Sequence, residues 1–122
     1  RDGYYQGFFG TDLEVIIDFE KTTTFSQIQA IFFQYHLSWI ILPSSVSYSI
    51  SNDGKNFQKV KIIKNKIPLM REGKFKYTFS FENKNTTARY LKINAKSVGN
   101  LPEEHPAAGS DSWMFIDEII VN

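Results

Sequence analysis

Apolar and polar side chains alternate with a period of two over several stretches of the chain, as they do in strands with one buried face. Four regular stretches begin at Leu13, Val46, Phe75 and Leu91, each with apolar residues at every second position. The last apolar run, 113–121, carries large hydrophobic residues at odd and even positions alike. Such a run predicts a central strand that is covered on both faces.

The segments between these stretches contain residues that favour turns. Asn52-Asp53-Gly54 suits a tight hairpin, because Asp-Gly readily takes positive φ angles. Residues 83–87 form a polar connection, and residues 99–112 form a long one that contains Pro and Gly. The run 28–41 is rich in β-branched and aromatic residues and is interpreted as strand. The pattern therefore predicts an all-β fold, an antiparallel β-sandwich.

Length and composition place the chain among ordinary globular domains. Its 122 residues suit a single domain, and 42% hydrophobic with 22% charged residues is a typical content. A formal net charge of +1 argues against a nucleic-acid partner and against strong attraction to an anionic membrane. Lys59, Lys61, Lys64 and Lys66 are interpreted as a solvated face or a protected sheet edge. With no cysteine, neither a disulfide nor a thiolate metal site is available.

Four predicted strands form an ordered set of motifs along the chain. The central motif is the strand 46–51, followed by Asp53, Gly54 and the aromatic Phe57. The others are an early strand, a late strand and the closing strand, at 10–19, 88–93 and 113–119. In this order the motifs resemble the strands of discoidin-like domains (the coagulation-factor C type) and of family 32 carbohydrate-binding modules. The resemblance implies that the predicted sandwich is a discoidin-like jelly roll.

Two further segments narrow the resemblance. Residues 38–43 (Ser-Trp-Ile-Ile-Leu-Pro) and 104–109 (Glu-His-Pro-Ala-Ala-Gly) resemble the module that follows the catalytic barrel of bacterial family 20 β-N-acetylhexosaminidases. This likeness implies a non-catalytic, carbohydrate-binding accessory module of a secreted bacterial glycoside hydrolase, which acts outside the cell, in the periplasm or at the cell surface. The expected partners are a glycan with hexose or N-acetylhexosamine units and the catalytic domain of the same polypeptide.

Modules of this family usually begin with a strand and a Thr-Asp-Gly-like loop that helps to hold a structural calcium ion. The sequence contains no such loop ahead of residues 5–7, so we expect a single module, 1–122, that is a fragment without its first strand and calcium loop. The resemblance assigns one calcium ligand in the closing strand to Glu118. An ordinary strand carboxylate is the alternative, because calcium needs about six to eight oxygen ligands.

In family 32 modules the sugar binds to loops at one end of the sandwich, and carbohydrate sites combine an exposed aromatic ring with a few polar groups. The candidate residues therefore lie after residue 34 and in the connection that precedes the closing strand. They are Tyr35, His36, Trp39, His105 and Trp113. The aromatic segment 5–9 is expected to border the same end. Core packing of the tryptophans and loop hydrogen bonds of the histidines are the alternatives.

Other functions have weaker support in the sequence. Catalysis within the chain is not expected, because it contains no Gly-x-Ser-x-Gly motif, and its two histidines with scattered carboxylates are poor evidence for a zinc site. Two alternatives remain open. One is a structural module that packs on its parent enzyme without a ligand. The other is a discoidin domain that binds a protein or a membrane through aromatic residues such as Phe8 and Phe9.

Overall fold

The fold is built from antiparallel strands. The computed structural model describes the backbone of residues 3–122 and the side chains of residues 10–122. Its elements are β1 (Gly3–Phe9), β2 (Leu13–Tyr35), a turn of 3-10 helix (His36–Ser38), β3 (Ser45–Ser51), β4 (Gln58–Lys64), β5 (Lys74–Lys96) and β6 (Trp113–Val121). The strands pair in the order β1-β6-β2-β5-β3-β4, and the predicted all-β class is confirmed. No helix among the described residues is long and apolar enough to cross a membrane.

The two longest strands, β2 and β5, bend in the middle. The first part of β2 pairs with the last part of β5, and the last part of β2 pairs with the first part of β5. Between these regions the register shifts, and Glu20 and Asn85 take positive φ angles of 72° and 56°. Such bulges bend a strand and increase its twist. The polar residues 83–87 are therefore a bend inside β5, and their prediction as a connection between two strands is wrong.

The bends fold one continuous sheet into two halves that face each other. We call them the β3 half (β4, β3, the end of β5 and the start of β2) and the β6 half (β1, β6, the end of β2 and the start of β5). Tyr48 of the β3 half donates its hydroxyl hydrogen to the carbonyl oxygen of Phe79 in the β6 half at 2.6 Å. Its ring also stacks on Phe81, with 6.3 Å between the ring centroids. These contacts across the core confirm the predicted antiparallel β-sandwich.

The core between the halves consists of the side chains that the alternation places on the inner side of each strand. Every strand from β2 onward except the edge strand β4 contributes fully buried residues to it. The most buried apolar residues are Leu13, Ile28, Ala30, Phe32, Leu42, Val46, Tyr48, Phe79, Ala88, Leu91, Ile93, Ala95, Met114 and Ile116. The inward faces predicted for the alternating stretches are confirmed at these buried residues, whereas Tyr77, predicted on the same face as Phe79, keeps 36% of its surface exposed.

The strand β6 lies between β1 and β2, as predicted for a central strand, but only one of its faces is covered. Met114 and Ile116 point into the core and are buried, whereas Trp113 keeps 37% of its surface exposed and Phe115 is half-buried. The prediction of a strand covered on both faces is therefore wrong. Within the described part of the chain no second layer packs on this side, so the aromatic residues of β6 face outward.

The loop between β3 and β4 is organised by the Asp-Gly pair, although it is longer than the predicted tight hairpin. The carboxylate of Asp53 accepts hydrogen bonds from the backbone and side chain of Asn56 and from the hydroxyl of Ser51. These bonds, the backbone bond from Asn56 first, hold the pKa of Asp53 well below its usual value. Gly54 takes a φ of 76°, and a Cβ atom at this position would lie 3.0 Å from the ring of Tyr90.

We expect Gly54→Ala to lower the free energy of unfolding by about 1–2 kcal/mol, because an L-residue is strained in the left-handed region and its Cβ would press on the ring of Tyr90. Urea denaturation followed by circular dichroism measures the change. The matched control is Gly73→Ala, since Gly73 has a φ of 89° but a Cβ there would have no described atom within 4 Å. Its loss should be smaller, and an equal loss would show that the contact with Tyr90 contributes nothing.

Candidate ligand site at one end of the sandwich

Two loops meet at one end of the sandwich, where β2 ends and β6 begins. They are the β2–β3 loop, residues 36–44, and the β5–β6 loop, residues 97–112. Trp113 donates its backbone N–H to the carbonyl oxygen of Trp39 at 2.7 Å, and Ile41 donates its own to that of Trp113 at 2.8 Å. These bonds join the β2–β3 loop to the start of β6 and bring the five predicted ligand residues to the same end.

The β2–β3 loop turns sharply at Trp39. This residue takes a φ of 66° and donates its backbone N–H to the carbonyl oxygen of His36 at 3.0 Å. Tyr35 and Ile40 close the turn with two backbone hydrogen bonds of 2.9 and 3.2 Å. A non-glycine residue in the left-handed region costs about 1–2 kcal/mol, and such strained residues concentrate at functional sites. Trp39 itself is half-buried, so part of its side chain stays accessible.

A buried glutamine holds this loop against its neighbours. Gln34 is fully buried, and its side-chain oxygen accepts a hydrogen bond from the backbone N–H of Leu42 at 3.1 Å. Its side-chain nitrogen donates to the carbonyl oxygens of Leu69 and Pro68 at 3.2 and 3.4 Å. One side chain therefore ties the end of β2 to two loops, and a buried polar group satisfied in this way rigidifies its surroundings.

The side chain of His105 organises the β5–β6 loop from within. It is 3% exposed; its Nε2 donates to the carbonyl oxygen of His36 at 2.5 Å, and its Nδ1 accepts from the backbone N–H of Ala107 at 2.9 Å. Because a carbonyl oxygen can only accept and a backbone N–H can only donate, the ring is the neutral tautomer with its hydrogen on Nε2. Both ring nitrogens are thus used within the protein. The ligand contact predicted for His105 stays a prediction.

The side chain of His36 lies beside His105 and is also buried, at 6% exposure. The two rings meet edge to face, with 6.2 Å between their centroids. The Nδ1 atom of His36 is buried and has no hydrogen-bond partner among the described residues. Since buried polar atoms are nearly always paired, a water molecule or a ligand hydroxyl is the natural partner for this atom. The predicted ligand role of His36 also stays a prediction.

The exposed aromatic surface at this end lies on the outer face of the β6 half. The ring of Trp113, which is 37% exposed, meets that of Phe115 with 5.7 Å between the centroids. Phe115 pairs in register with Phe33 of β2, and Tyr35 continues the same face two residues further on. We call these four residues the aromatic stripe. The ammonium group of Lys74 lies 5.1 Å above the ring of Tyr35, so a positive charge lies beside the aromatic rings of the stripe.

Sequence reasoning missed three apolar residues at this end of the sandwich that are not fully buried. It assigned Phe33 and Phe115 to strands without a surface role, although Phe115 follows Trp113 by two positions and must share its face of the strand. The third is Leu37 on the 3-10 turn, which is 58% exposed. Nothing in the hydrophobic pattern marks Leu37, because a single turn of helix is too short to show a period.

The aromatic segment 5–9, expected to border this end, forms part of β1. Its backbone pairs with β6, with Phe9 opposite Trp113 and Phe8 opposite Met114. The side chains of this segment, including the two phenylalanines considered for protein or membrane contacts, lie outside the described residues.

The residue expected to bind calcium, Glu118, lies in the middle of β6, away from the two loops. Its backbone is opposite Ile31 of β2 and Gly3 of β1, and its side chain is half-buried. Among the side chains of residues 10–122, no group of three or more His, Cys, Asp or Glu residues could hold a metal ion. Because calcium needs about six to eight oxygen ligands, these residues by themselves do not fit a calcium site. The calcium role of Glu118 stays a prediction.

Comparison with solved structures finds proteins of the same fold. The chain is similar to the family 32 carbohydrate-binding module of AlyQ in complex with 4,5-unsaturated mannuronic acid, with a TM-score of 0.60 and 19% identity over 97% of this chain and 76% of that chain. It is also similar to the C-terminal domain of a chitobiase from Bacteroides fragilis, with a TM-score of 0.50 and 18% identity over 91% of this chain and 65% of that chain. No protein-family model and no curated protein matches the sequence.

Proposed function

We propose that this chain, which has the fold of the family 32 carbohydrate-binding modules, is a non-catalytic module that binds a glycan at the loop end of its sandwich. The observation that carries the proposal is the exposed ring of Trp113, which lies where the β2–β3 loop joins β6. Sugars present a face of C–H groups that stacks on such a ring, and hydroxyls that bond to nearby polar groups.

The other predicted residues take different parts in this site. Tyr35 extends the aromatic stripe, and the backbone of Trp39 joins the strained turn to Trp113. The buried Nδ1 of His36 offers one hydrogen bond to a ligand or to a water that bridges to it. His105 acts as a positioning residue, because its two hydrogen bonds fix the loops around Trp113. A site that is rigid before the ligand arrives loses less entropy on binding.

The setting we propose is an accessory module of a secreted bacterial glycoside hydrolase of the β-N-acetylhexosaminidase type. Support comes from the segments 38–43 and 104–109 and from the fold likeness to the C-terminal domain of a chitobiase. Bond cleavage then belongs to a separate catalytic domain, which is the second partner. Binding by this module raises the effective concentration of that domain at its substrate.

The ligand we propose for the loop end is a glycan with hexose or N-acetylhexosamine units. Stacking on Trp113 requires only the apolar face that such rings have in common. The complex of the AlyQ module with 4,5-unsaturated mannuronic acid supports a saccharide as the class of ligand for this fold.

Calorimetric titration with N-acetylglucosamine, galactose and their oligomers tests the proposal. We expect saturable binding that Trp113→Ala weakens about tenfold or more, as loss of a central aromatic contact commonly does. The matched control is Ile16→Ala, since Ile16 is an exposed apolar residue in the β3 half, at 48% exposure, and should not affect binding. Thermal unfolding verifies that each variant is folded. Folded protein that binds none of these sugars would overturn the proposal.

The open aromatic stripe also favours a second candidate function, in which the module packs on its parent enzyme without a ligand. An exposed apolar sheet face suits a contact between domains as well as a sugar. Hydroxyl-radical footprinting of Trp113 in the longer polypeptide separates the two. Protection without any glycan supports docking, whereas protection that appears only with a glycan supports binding.

A further inference from the structure

The outer face of the β3 half contains a groove that the loop site does not use. Its volume is about 710 Å³. Strand β3 forms its floor, β4 and β5 form its two walls, and the start of β2 lies at its far side. Because the outer faces of a sandwich point in opposite directions, this groove and the aromatic stripe lie on opposite sides of the molecule.

The floor of the groove is polar because β3 presents serines on its outer side. The alternation sends Val46 and Tyr48 into the core, so the serines between them face outward. Ser47 and Ser49 are only 7% and 5% exposed, since longer side chains of the neighbouring strands rise beside them. No hydrogen bond joins the hydroxyls of Ser45, Ser47 or Ser49 to another described residue. These groups are therefore available to a polar ligand.

The strand register places a longer side chain on each side of every serine. We call each serine with its two register partners on β4 and β5 a rung. The first rung has Lys64 and Lys96 beside Ser45, the second has Ile62 and Asn94 beside Ser47, and the third has Lys59 and Lys92 beside Ser49. The first and third rungs are four residues apart along β3, which corresponds to about 13 Å. Lys64 and Lys96 thus flank the floor at the first rung, and Lys59 lines the groove at the third rung, where Lys92 is opposite in register but outside the lining. Positive charge at two separate places suits an oligosaccharide better than a single sugar.

Protection of a sheet edge does not explain all of these lysines. The strand β4 is an edge strand, and Lys59 and Lys64 have that explanation. In contrast, β5 lies between β2 and β3, so protection of an edge does not explain Lys92 and Lys96. The ammonium group of Lys92 lies 4.3 Å above the ring of Phe57 and so has a contact within the protein, which leaves Lys59, Lys64 and Lys96 as the lysines that line the groove. In the described part of the chain, none of the four lysines forms an ion pair.

Two carboxylates also line the groove, on its β2 side. Asp12 accepts a hydrogen bond from the backbone N–H of Ser97 at 2.8 Å and so has a partner within the protein. Glu14 pairs in register with Asn94, beside the middle rung. The lining contains three lysines against these two acids, so the groove is net positive, and its positive charge is concentrated at the first and third rungs.

We propose that this groove is a second glycan site, selective for an acidic oligosaccharide. Carboxylate or sulfate groups of the sugar units pair with the lysines of the first and third rungs. Sugar hydroxyls bond to the serines of the floor and to Asn94. Both tryptophans of the chain lie at the loop end, so recognition in the groove rests on charge and hydrogen bonds rather than on stacking.

The test is calorimetric titration with polygalacturonate oligosaccharides at low and at physiological salt. The double variant Lys64→Gln/Lys96→Gln should bind about tenfold more weakly, with a smaller dependence on salt. The matched control is Lys61→Gln/Lys84→Gln: Lys61 is exposed on the same edge strand, opposite Tyr48 in register, but does not line the groove, and Lys84 is exposed in the bend of β5. This control should bind as the wild type does.

Further variants separate this groove from the loop site and from general attraction between charges. In a Trp113→Ala background, Lys64→Gln/Lys96→Gln should still weaken binding of polygalacturonate by the same factor, because the groove and the loop end lie on opposite sides of the molecule. Ser47→Ala should lower the affinity in a folded protein. Equal weakening in the control double variant would overturn the proposal. Equal affinity for a single-stranded oligonucleotide of the same charge would overturn it too, as would a folded wild-type protein that does not bind polygalacturonate.

Discussion

Replacing Phe32 by alanine is expected to lower the free energy of unfolding by about 3–5 kcal/mol, the usual cost of removing a buried aromatic side chain. Phe32 is fully buried in β2, the strand shared by both halves of the sandwich. Its ring meets Phe79 edge to face, with 5.7 Å between the centroids, and its backbone is opposite Ile116 of β6. Truncation therefore leaves a cavity at the centre of the core. Urea denaturation measures the loss.

The neighbouring residue provides the matched control. Phe33 has the same side chain on the same strand, but it points to the outer face and is only half-buried. Phe33→Ala should therefore cost clearly less free energy than Phe32→Ala, because less apolar surface returns to water. If the two losses were equal, the outer face of the β6 half would have to be covered, and the description of the aromatic stripe as an open surface would be wrong.

Replacing His105 by alanine is expected to lower the free energy of unfolding by about 2–4 kcal/mol and to weaken glycan binding at the same time. The side chain is 3% exposed, and its loss leaves the backbone N–H of Ala107 without its acceptor, at about 1–3 kcal/mol. A small cavity adds to this cost. Binding should weaken because the bond to the carbonyl oxygen of His36 holds the two loops together beside Trp113.

His105→Gln tests whether His105 supports glycan binding by holding the two loops in place rather than by contacting the ligand. The side-chain nitrogen of glutamine can reach the place of Nε2 and donate to His36, while the acceptor for Ala107 is lost. Partial recovery of both stability and glycan affinity is expected, as measured by urea denaturation and calorimetry. A His105→Ala variant that loses affinity with unchanged stability would instead show that His105 contacts the ligand directly, as the sequence predicted.

The two loops show where prediction of the site from sequence stops. The positions of Tyr35, His36, Trp39, His105 and Trp113 at one end follow from the order of strands and connections, and the structure brings all five together. The order of strands and connections does not indicate which of these five side chains are buried. The bond between His105 and His36 joins residues that are 69 positions apart. No local pattern reports a contact over that separation, so a histidine in a polar connection cannot be distinguished from one enclosed by it.

In the sheet, too, the sequence predicts the direction of side chains within a strand but not what covers the strand. Alternation at Val46 and Tyr48 predicts their inward direction correctly, because side chains of a strand point to opposite faces in turn. The run 113–121 is apolar on both faces, yet only the inner face of β6 is covered. An apolar residue on the outer face is compatible with a second layer or with a binding surface. The presence of a second layer depends on other segments, which the run itself does not describe.

The sequence by itself determined the all-β class, the inner face of the regularly alternating stretches and the structured Asp53-Gly54 loop, because each depends on residues within a few positions of one another. Only the tertiary structure decided that β2 and β5 continue through their bends and fold one sheet into two facing halves. It also decided that the histidines are enclosed, that the aromatic stripe is open, and that the serines of β3 form the floor of a lysine-lined groove. These features depend on which distant strands become neighbours, and that choice is made by packing of the whole core.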